Sequence, residues 1–308
     1  MAVLTFPMPG RRFVIGVPYL WLILFFFLPF LILLYISFVD MGNDINPFKS
    51  LWDAQTGLLK LKYQNYSSIF RSSEGGALFE TMYVEAYLCS LWYALCTSVL
   101  CLLIGYPFAY FLARSAPGLR PALLMMVMLP FWTSFLLRVY AWKGILADQG
   151  VLNQVLMFLG LSAEPLQLLY TDVSMLVGMT YVYLPFMVLP LYANLVKLDM
   201  RLLEAAHDLG ASPWKAFWLI TVPLSRAGIM AGFMLVFIPC VGEFVIPSLL
   251  GGAENLMIGR VVWDEMFISN NWPRATALAV LMIAIIVVPL AVYYYNNNGA
   301  AAESETTS

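Results

Sequence analysis

Charged side chains are scarce in this chain: Lys and Arg number 16 and Asp and Glu 18 among 308 residues, together 11%. An ordinary soluble domain carries about 25%. So few charges cannot cover a water-exposed surface, so most of the outer surface must face lipid, which excludes a secreted or cytosolic enzyme. The net charge of −2 shows no basic excess and hence no sign of a nucleic-acid partner. Histidine occurs once, as His207 in a charged loop. A Ser-His-Asp triad or a histidine metal site would have to be built around that residue, and a solvated histidine is the plainer reading. The four cysteines, Cys89, Cys96, Cys101 and Cys240, all fall in apolar runs without C-x-x-C or zinc spacing. They read as small, membrane-compatible hydrophobes. There is no G-x-x-x-x-G-K-[ST], and none of the six lysines follows a glycine-rich loop, so a nucleotide phosphate site and its Mg are not expected in this chain. No internal repeat points to an inverted-repeat transporter.

What the sequence does have is apolar length. Hydrophobic residues make up 62% and the mean hydropathy is +0.81. Charge-free intervals run from Phe13 to Val39, Ala86 to Ala113, Val173 to Val196 and Ala275 to Ala302, with shorter ones from Pro121 to Leu137 and Ala227 to Gly242. About 20 apolar residues cross a bilayer core as a helix. Four intervals suffice outright. The Pro121 interval does so by continuing past Arg138 to Tyr140, and the Ala227 interval by taking in Glu243 and reaching Ile246. The expectation is an all-α integral membrane chain of six spans, near 14–38, 86–113, 121–142, 173–196, 227–246 and 275–295.

Arg11 and Arg12 precede an apolar stretch too long for a signal-peptide core and lacking an A-x-A-type site, so an uncleaved first span is expected after a cytoplasmic segment at 1–13. Arg114 and Arg120 bracket a very short loop, and Lys197, Arg201, Lys215 and Arg226 share another. The other side has equally many basic residues, spread through longer and more acidic loops. Density of Lys and Arg therefore puts both termini in the cytoplasm. The outer loop at 40–85, rich in Gly, Ser and Asn, includes an amphipathic stretch from Leu58 to Tyr63. The polar tail at 296–308 reads as disordered. Prolines punctuate the spans (Pro29, Pro107, Pro130, Pro185, Pro190, Pro239, Pro247 and Pro289), as suits helices that flex and as is common in membrane helices generally.

The loop at 197–226 is the most informative segment. It contains Glu204-Ala205-Ala206-His207-Asp208-Leu209-Gly210, then nine residues, then Ile220-Thr221-Val222-Pro223. Asp199 is placed to cap a first helix, with Leu202, Ala205, Ala206 and Leu209 on one face. Gly210 is placed to end it in the left-handed region, and Ser212 to cap a second helix with Pro213 at its first position. The product is a compact helical knob on the cytoplasmic side. This segment resembles the EAA loop of binding-protein-dependent ABC importers, EAA-x3-G-x9-I-x-L-P, departing only at Val222 in the Leu position.

The resemblance narrows with Leu103-Ile104-Gly105-Tyr106-Pro107, Trp132-Thr133-Ser134-Phe135, Arg138-Val139-Tyr140-Ala141-Trp142, Tyr183-Leu184-Pro185-Phe186 through Pro190, and Val241-Gly242-Glu243-Phe244-Val245-Ile246-Pro247 with Leu249-Leu250-Gly251-Gly252. Across residues 14 to 295 the chain is similar to polyamine importer permeases, above all to the first permease subunit of putrescine importers, with spermidine importers next. The resemblance implies the type I ABC importer permease fold in a bacterial inner membrane. It implies as partners a second permease, an ATPase dimer that binds the ATP and Mg, and a periplasmic polyamine-binding protein. It also implies that Glu204, Ala205, Ala206, Asp208 and Gly210 couple to the ATPase, and that the chain itself is not an enzyme.

A di- or triammonium substrate requires anionic or π-rich partners, because a bare cation in low dielectric is very costly. Glu243, with sixteen uncharged residues before it and ten after, is the leading candidate. The alternative is a carboxylate at a kinked helix end, paired with Arg138 or exposed to outer water. Asp264 and Glu265, beside Trp263, form an acidic pair suited to an outer mouth or to a surface helix. Trp132, Tyr140, Trp142, Tyr181 and Tyr183 suit cation–π contacts or an interfacial belt. A rival function, an ion-gradient-driven secondary transporter of a cationic solute, would use Glu243 but has no need of the knob.

Overall fold

The computed structural model describes residues 11–42, 47–52, 61–70, 81–252 and 254–306. Its helices are α1 (Arg11–Leu22), α2 (Leu28–Ser37), α3 (Gln64–Phe70), α4 (Thr81–Arg114), α5 (Arg120–Met128), α6 (Phe135–Leu146), α7 (Val151–Phe158), α8 (Asp172–Leu195), α9 (Arg201–Asp208), α10 (Pro213–Ala216), α11 (Val222–Leu224), α12 (Arg226–Val241), α13 (Val245–Leu250), α14 (Ile258–Phe267) and α15 (Trp272–Thr306). Among the described residues the extended pairing is an isolated antiparallel bridge between Met41 and Phe48. The chain divides into two units, one of Met1–Thr81 with Val262–Ser308, the other of Met82–Val261.

In the first unit α1 and α2 join through a π turn at Ile23–Phe27. That turn directly precedes Pro29, whose ring would otherwise run into the Phe25 carbonyl of a regular helix. The resulting helix, Phe13–Ser37, is long and apolar enough to span a membrane, and most of its large side chains are exposed within the chain. Its end is tied down by α3: the Asn65 amide donates to the Ser37 and Val39 carbonyls at 2.9 and 2.8 Å, and Ser37 shares a 2.7 Å hydrogen bond with Tyr66. Lys62 pairs with Asp40 alongside. The α3 helix begins only at Gln64; of the amphipathic stretch read at Leu58 to Tyr63, residues 61–63 precede the helix and residues 58–60 lie outside the described residues. The sixth interval read as a span falls on α15, whose apolar part Trp272–Val288 is shorter than the other candidates; α15 packs on α2. The tail read as disordered is helical as far as Thr306. Extending an existing helix costs far less than starting one, and Ala300 to Ala302 are the best helix formers available.

The second unit carries two further unbroken spans, Met82–Arg114 and Asp172–Leu195. A capping box starts α8: the Ser174 N–H donates to Thr171 Oγ1 at 3.3 Å, and the Thr171 N–H to Ser174 Oγ at 3.1 Å. The same Ser174 hydroxyl donates to the Leu250 carbonyl at 2.6 Å, satisfying the end of α13. Against α8 lies α12, at a separation only glycine allows. A Cβ on Gly228 would stand 2.7 Å from Asn194 Cβ and 3.1 Å from the Pro190 carbonyl; one on Gly232 would stand 2.7 Å from Met187 Sδ and 3.1 Å from its carbonyl. This G-x-x-x-G pair is the small-residue contact through which membrane helices pack.

The two remaining spans differ from the expectation. The 121–142 interval is broken: Arg120–Trp132 and Phe135–Phe158 meet at 86°. Thr133 and Ser134 both adopt extended ψ angles, 156° and 138°, and Pro130 has no N–H to continue the helix. The 227–246 span ends early, α12 stopping at Val241 so that Glu243 lies in the turn before α13. Pro213–Leu224 meets it at 66°. By length and composition three described helices can cross a membrane, or five with each bent pair counted as one. The apolar stretch of α15 is the shorter candidate for the sixth.

Candidate functional site

Local signals build the loop at 197–226. The Asp199 carboxylate accepts the Arg201 N–H at 3.0 Å, opening α9. Gly210 has φ +82°. Around it the Gly210 N–H donates to the His207 carbonyl and the Ala211 N–H to the Ala206 carbonyl, both at 2.9 Å, which is a Schellman closure. Ser212 Oγ accepts the Lys215 N–H at 3.4 Å with Pro213 first in α10. His207 Nδ1 donates to the Ala211 carbonyl at 3.0 Å, so the lone histidine stitches the turn. A second π turn, Phe217–Thr221, precedes Pro223 just as the first precedes Pro29.

The apolar face is not the one read from the periodicity. Leu203 and Ala206 are buried, packed with Ala216, Leu198, Ala211 and Ile220. Leu202, Ala205 and Leu209, which the periodicity places on one face with Ala206, are exposed, Leu209 at 89%. The helix is shifted by one position because its inner face must meet the short α10, where small Ala216 admits Leu203. An uncovered stripe of Leu202, Ala205 and Leu209 results, flanked by exposed Glu204, Asp208 and Trp214. At its rear, Phe217 makes edge contacts with Tyr106 and Tyr110 of α4 at 5.5 and 5.9 Å, and the Tyr106 and Ser225 hydroxyls share a 2.8 Å hydrogen bond. The knob is thereby rooted on a spanning helix.

Glu243 sits at the break between α12 and α13 and is only 8% exposed. Its Oε1 accepts the N–H groups of Phe244, Val245 and Ile246 at 3.1, 3.0 and 3.4 Å, capping α13. Its Oε2 accepts the Tyr183 hydroxyl at 2.5 Å. The partner is thus a tyrosine of α8, not Arg138. Tyr183 lies 6.2 Å from the ring of Phe186, and Phe186 lies 5.3 Å from Phe131, over which the Arg138 guanidinium stacks at 4.5 Å. An unbroken run of aromatic rings therefore separates the buried carboxylate from the guanidinium.

The other aromatic candidates do not join this cluster. Trp142 makes an edge contact with Tyr181 at 5.5 Å, and together they line a cavity of about 300 Å³ with Arg138. Trp132 and Tyr140 are exposed. Asp264 and Glu265 belong to α14, and Glu265 pairs with Arg274 at 3.8 Å. The sequence reading passed over Asp172, which the structure ties to α4 through Asn255. The Asn255 side-chain amide donates through Nδ2 to Asp172 Oδ1 at 2.6 Å, and the Tyr93 hydroxyl donates to Asn255 Oδ1 at 3.1 Å. Its signal in the sequence was an acid directly before the charge-free run of the fourth span. The four cysteines are free, two of them buried. Among the described residues no cluster of three His, Cys, Asp or Glu is arranged to hold a metal.

Residues 8–300 match the family described as the binding-protein-dependent transport system inner membrane component. The chain is 37% identical over 271 residues to the spermidine/putrescine transport system permease protein PotB of Haemophilus influenzae, covering 88% of each. It is 39% identical over 260 residues to PotB of Escherichia coli, covering 84% of this chain and 88% of that one. Among solved structures it is similar to a bacterial ABC transporter involved in alginate import, at TM-score 0.61 and 18% identity over 94% of this chain and 96% of that one. It is also similar to the MetNI methionine ABC transporter in its inward-facing form, at TM-score 0.53 and 16% identity over 72% and 98%. The all-helical architecture, the helical knob and a family match across nearly the whole sequence have one conclusion: this chain belongs to the binding-protein-dependent transport system inner membrane components, the non-catalytic permease subunits of ABC importers.

Proposed function

We propose that this chain is one of two permease subunits through which polyamines, putrescine or spermidine, enter the cytoplasm, powered by a separate ATPase dimer and supplied by a periplasmic binding protein. The substrate class is in keeping with relatives named as spermidine/putrescine permeases. The observation that carries it is the buried Glu243–Tyr183 pair, an anion with an aromatic face and the one charged side chain among the described buried residues. Oε1 is committed to three backbone N–H groups. Oε2, held by one hydroxyl, is the atom at which an ammonium exchanges with Tyr183 while the rings of Tyr183 and Phe186 take up its charge. Asp264 and Glu265 would attract the cation at the outer mouth, and Trp132, Tyr140 and Trp142 would line its approach.

Both termini and the knob lie on the cytoplasmic side in this reading. Glu204, Ala205, Ala206, Asp208 and Gly210, with the uncovered Leu202 and Leu209, would dock the ATPase, and its closure would reach the membrane through Phe217 and α4. The test is uptake of labelled putrescine and spermidine into proteoliposomes holding the whole complex, with ATP enclosed or withheld. Uptake that requires ATP and the binding protein is expected. Uptake by this chain alone, driven by an ion gradient, would replace the reading with the secondary transporter.

A further inference from the structure

Arg138 is a cation that the transport reading leaves unexplained. It lies in α6, four residues after the break at Thr133–Ser134, with its guanidinium over the Phe131 ring at 4.5 Å. Its Nε and Nη1 are both buried without a hydrogen-bond partner. The adjoining cavity, about 300 Å³, is lined by Thr133, Leu137, Ala141, Trp142, Ile145 and Tyr181 along with Arg138. None of these carries a negative charge. Thr133, Leu137, Ala141 and Tyr181 are exposed, so the cavity lies on an uncovered face.

A guanidinium is always protonated and presents its N–H groups as a planar fork. With Nε and Nη1 buried among aromatic and aliphatic side chains and no anion beside them among the described residues, it carries a desolvation penalty that stacking on one ring does not offset. It would also repel a polyammonium ion passing near Phe186, which touches Phe131. One arrangement removes both difficulties: an anion brought to this face from outside the chain, with the planar, two-oxygen geometry that fits the fork.

We propose that Arg138 is an intersubunit anchor, receiving a carboxylate from a membrane-embedded Asp or Glu of the second permease subunit, which covers the cavity at the Thr133–Tyr181 face. The proposal rests on the reading of this chain as one of a permease pair. The pair of charges fixes the register of the two subunits and neutralises Arg138 beside the substrate route. Trp142 and Tyr181 then also form walls of this interface.

Two measurements on the full complex test it. The first compares Arg138→Lys, Arg138→Gln and Arg138→Glu for co-purification of the second permease and for polyamine uptake. Lys, which keeps the charge but loses the fork, should lower both by about tenfold, whereas Gln and Glu should lower them by about a hundredfold or more, the scale of a buried pair left with one charge. Reversal of one acid of the second permease to Arg should restore the Arg138→Glu complex. Wild-type assembly and uptake with Arg138→Glu would overturn the proposal. So would a loss that no reversed acid repairs and that matches the loss on removing anionic lipid from wild-type vesicles, which would mark a lipid phosphate as the partner. The second measurement keeps Arg138 and places cysteine at exposed Thr133, paired with cysteines beside each membrane-embedded acid of the second permease. A cross-link at one acid is expected; no cross-link at any would overturn the proposal even if the Arg138 variants fail to assemble. Because cross-linking requires no transport, failure of the polyamine reading would show separately, as absent uptake by the wild-type complex.

Discussion

At the level of residues, one buried carboxylate ties α8 to the start of α13 in the unit Met82–Val261. Glu243 performs two tasks with its two oxygens, and substitutions separate them. In Glu243→Gln the amide oxygen can still cap α13, and the amide N–H can donate to a Tyr183 hydroxyl turned to accept. Thermal stability in detergent should therefore stay within about 1 kcal/mol of wild type, while polyamine uptake falls at least tenfold through loss of the anion. Glu243→Ala removes the cap and leaves a buried hydroxyl unpaired, which should cost about 2–4 kcal/mol. Uptake by Glu243→Gln at the wild-type rate would leave Glu243 only its capping task. Tyr183→Phe is the complementary change. It keeps the ring and frees Oε2, and it should bind the ammonium without competition from the hydroxyl, raising apparent affinity in an uptake titration.

Between elements, the controlling variable is distance, set by glycine and proline. Replacing Gly232 by Ala forces its methyl group into Met187 Sδ and carbonyl, and replacing Gly228 forces it into Asn194. Each should lower the unfolding midpoint in detergent by an amount corresponding to about 1–3 kcal/mol, and the double change should exceed either, because both act on the α8–α12 contact. An unchanged midpoint would show that α12 can slide along α8 at little cost. Gly210 is different: its constraint is backbone, not space, since nothing would meet a Cβ there. Gly210→Ala at φ +82° costs about 1–2 kcal/mol locally. It should loosen the knob without weakening the membrane core, and be read as lost substrate stimulation of the partner's ATPase at normal complex yield.

The elements also show what a sequence can reveal by itself. The knob was legible because its determinants lie within a few residues of one another: Asp199, Gly210, Ser212 and Pro213 act locally. Its buried face was not, because a helix so short is packed by what lies opposite, and Ala216 selects Leu203. Unbroken spans followed from charge-free length. The break at Thr133–Ser134 did not, since an apolar run without charges gives hydropathy no reason to stop. Glu243 stood out by its isolation in an apolar run, but Tyr183 is 60 positions away and only packing of α8 on α12 brings them together.

For the whole molecule, the direction in which the chain is threaded decides whether the parts can work as proposed. Trp214 is 70% exposed on the knob, and Ser50 is exposed in the loop after the first span. Native thiols interfere little, because all four cysteines lie in helices and two are buried. Cysteines introduced separately at the two sites should therefore react on opposite sides with a membrane-impermeant maleimide. Ser50→Cys should label in intact spheroplasts, and Trp214→Cys only after the membrane is opened. The basis is density of charge: Lys197, Arg201, Lys215 and Arg226 are crowded into one 30-residue loop, and retention of basic loops follows such local crowding. Labelling of Trp214→Cys in intact spheroplasts would put the knob outside, away from any cytoplasmic ATPase. The proposed coupling route through Phe217 to α4 would then have nothing to drive it. The expected pattern instead gives that route an ATP-driven motor at one end and the Glu243–Tyr183 pair within the same folded unit at the other.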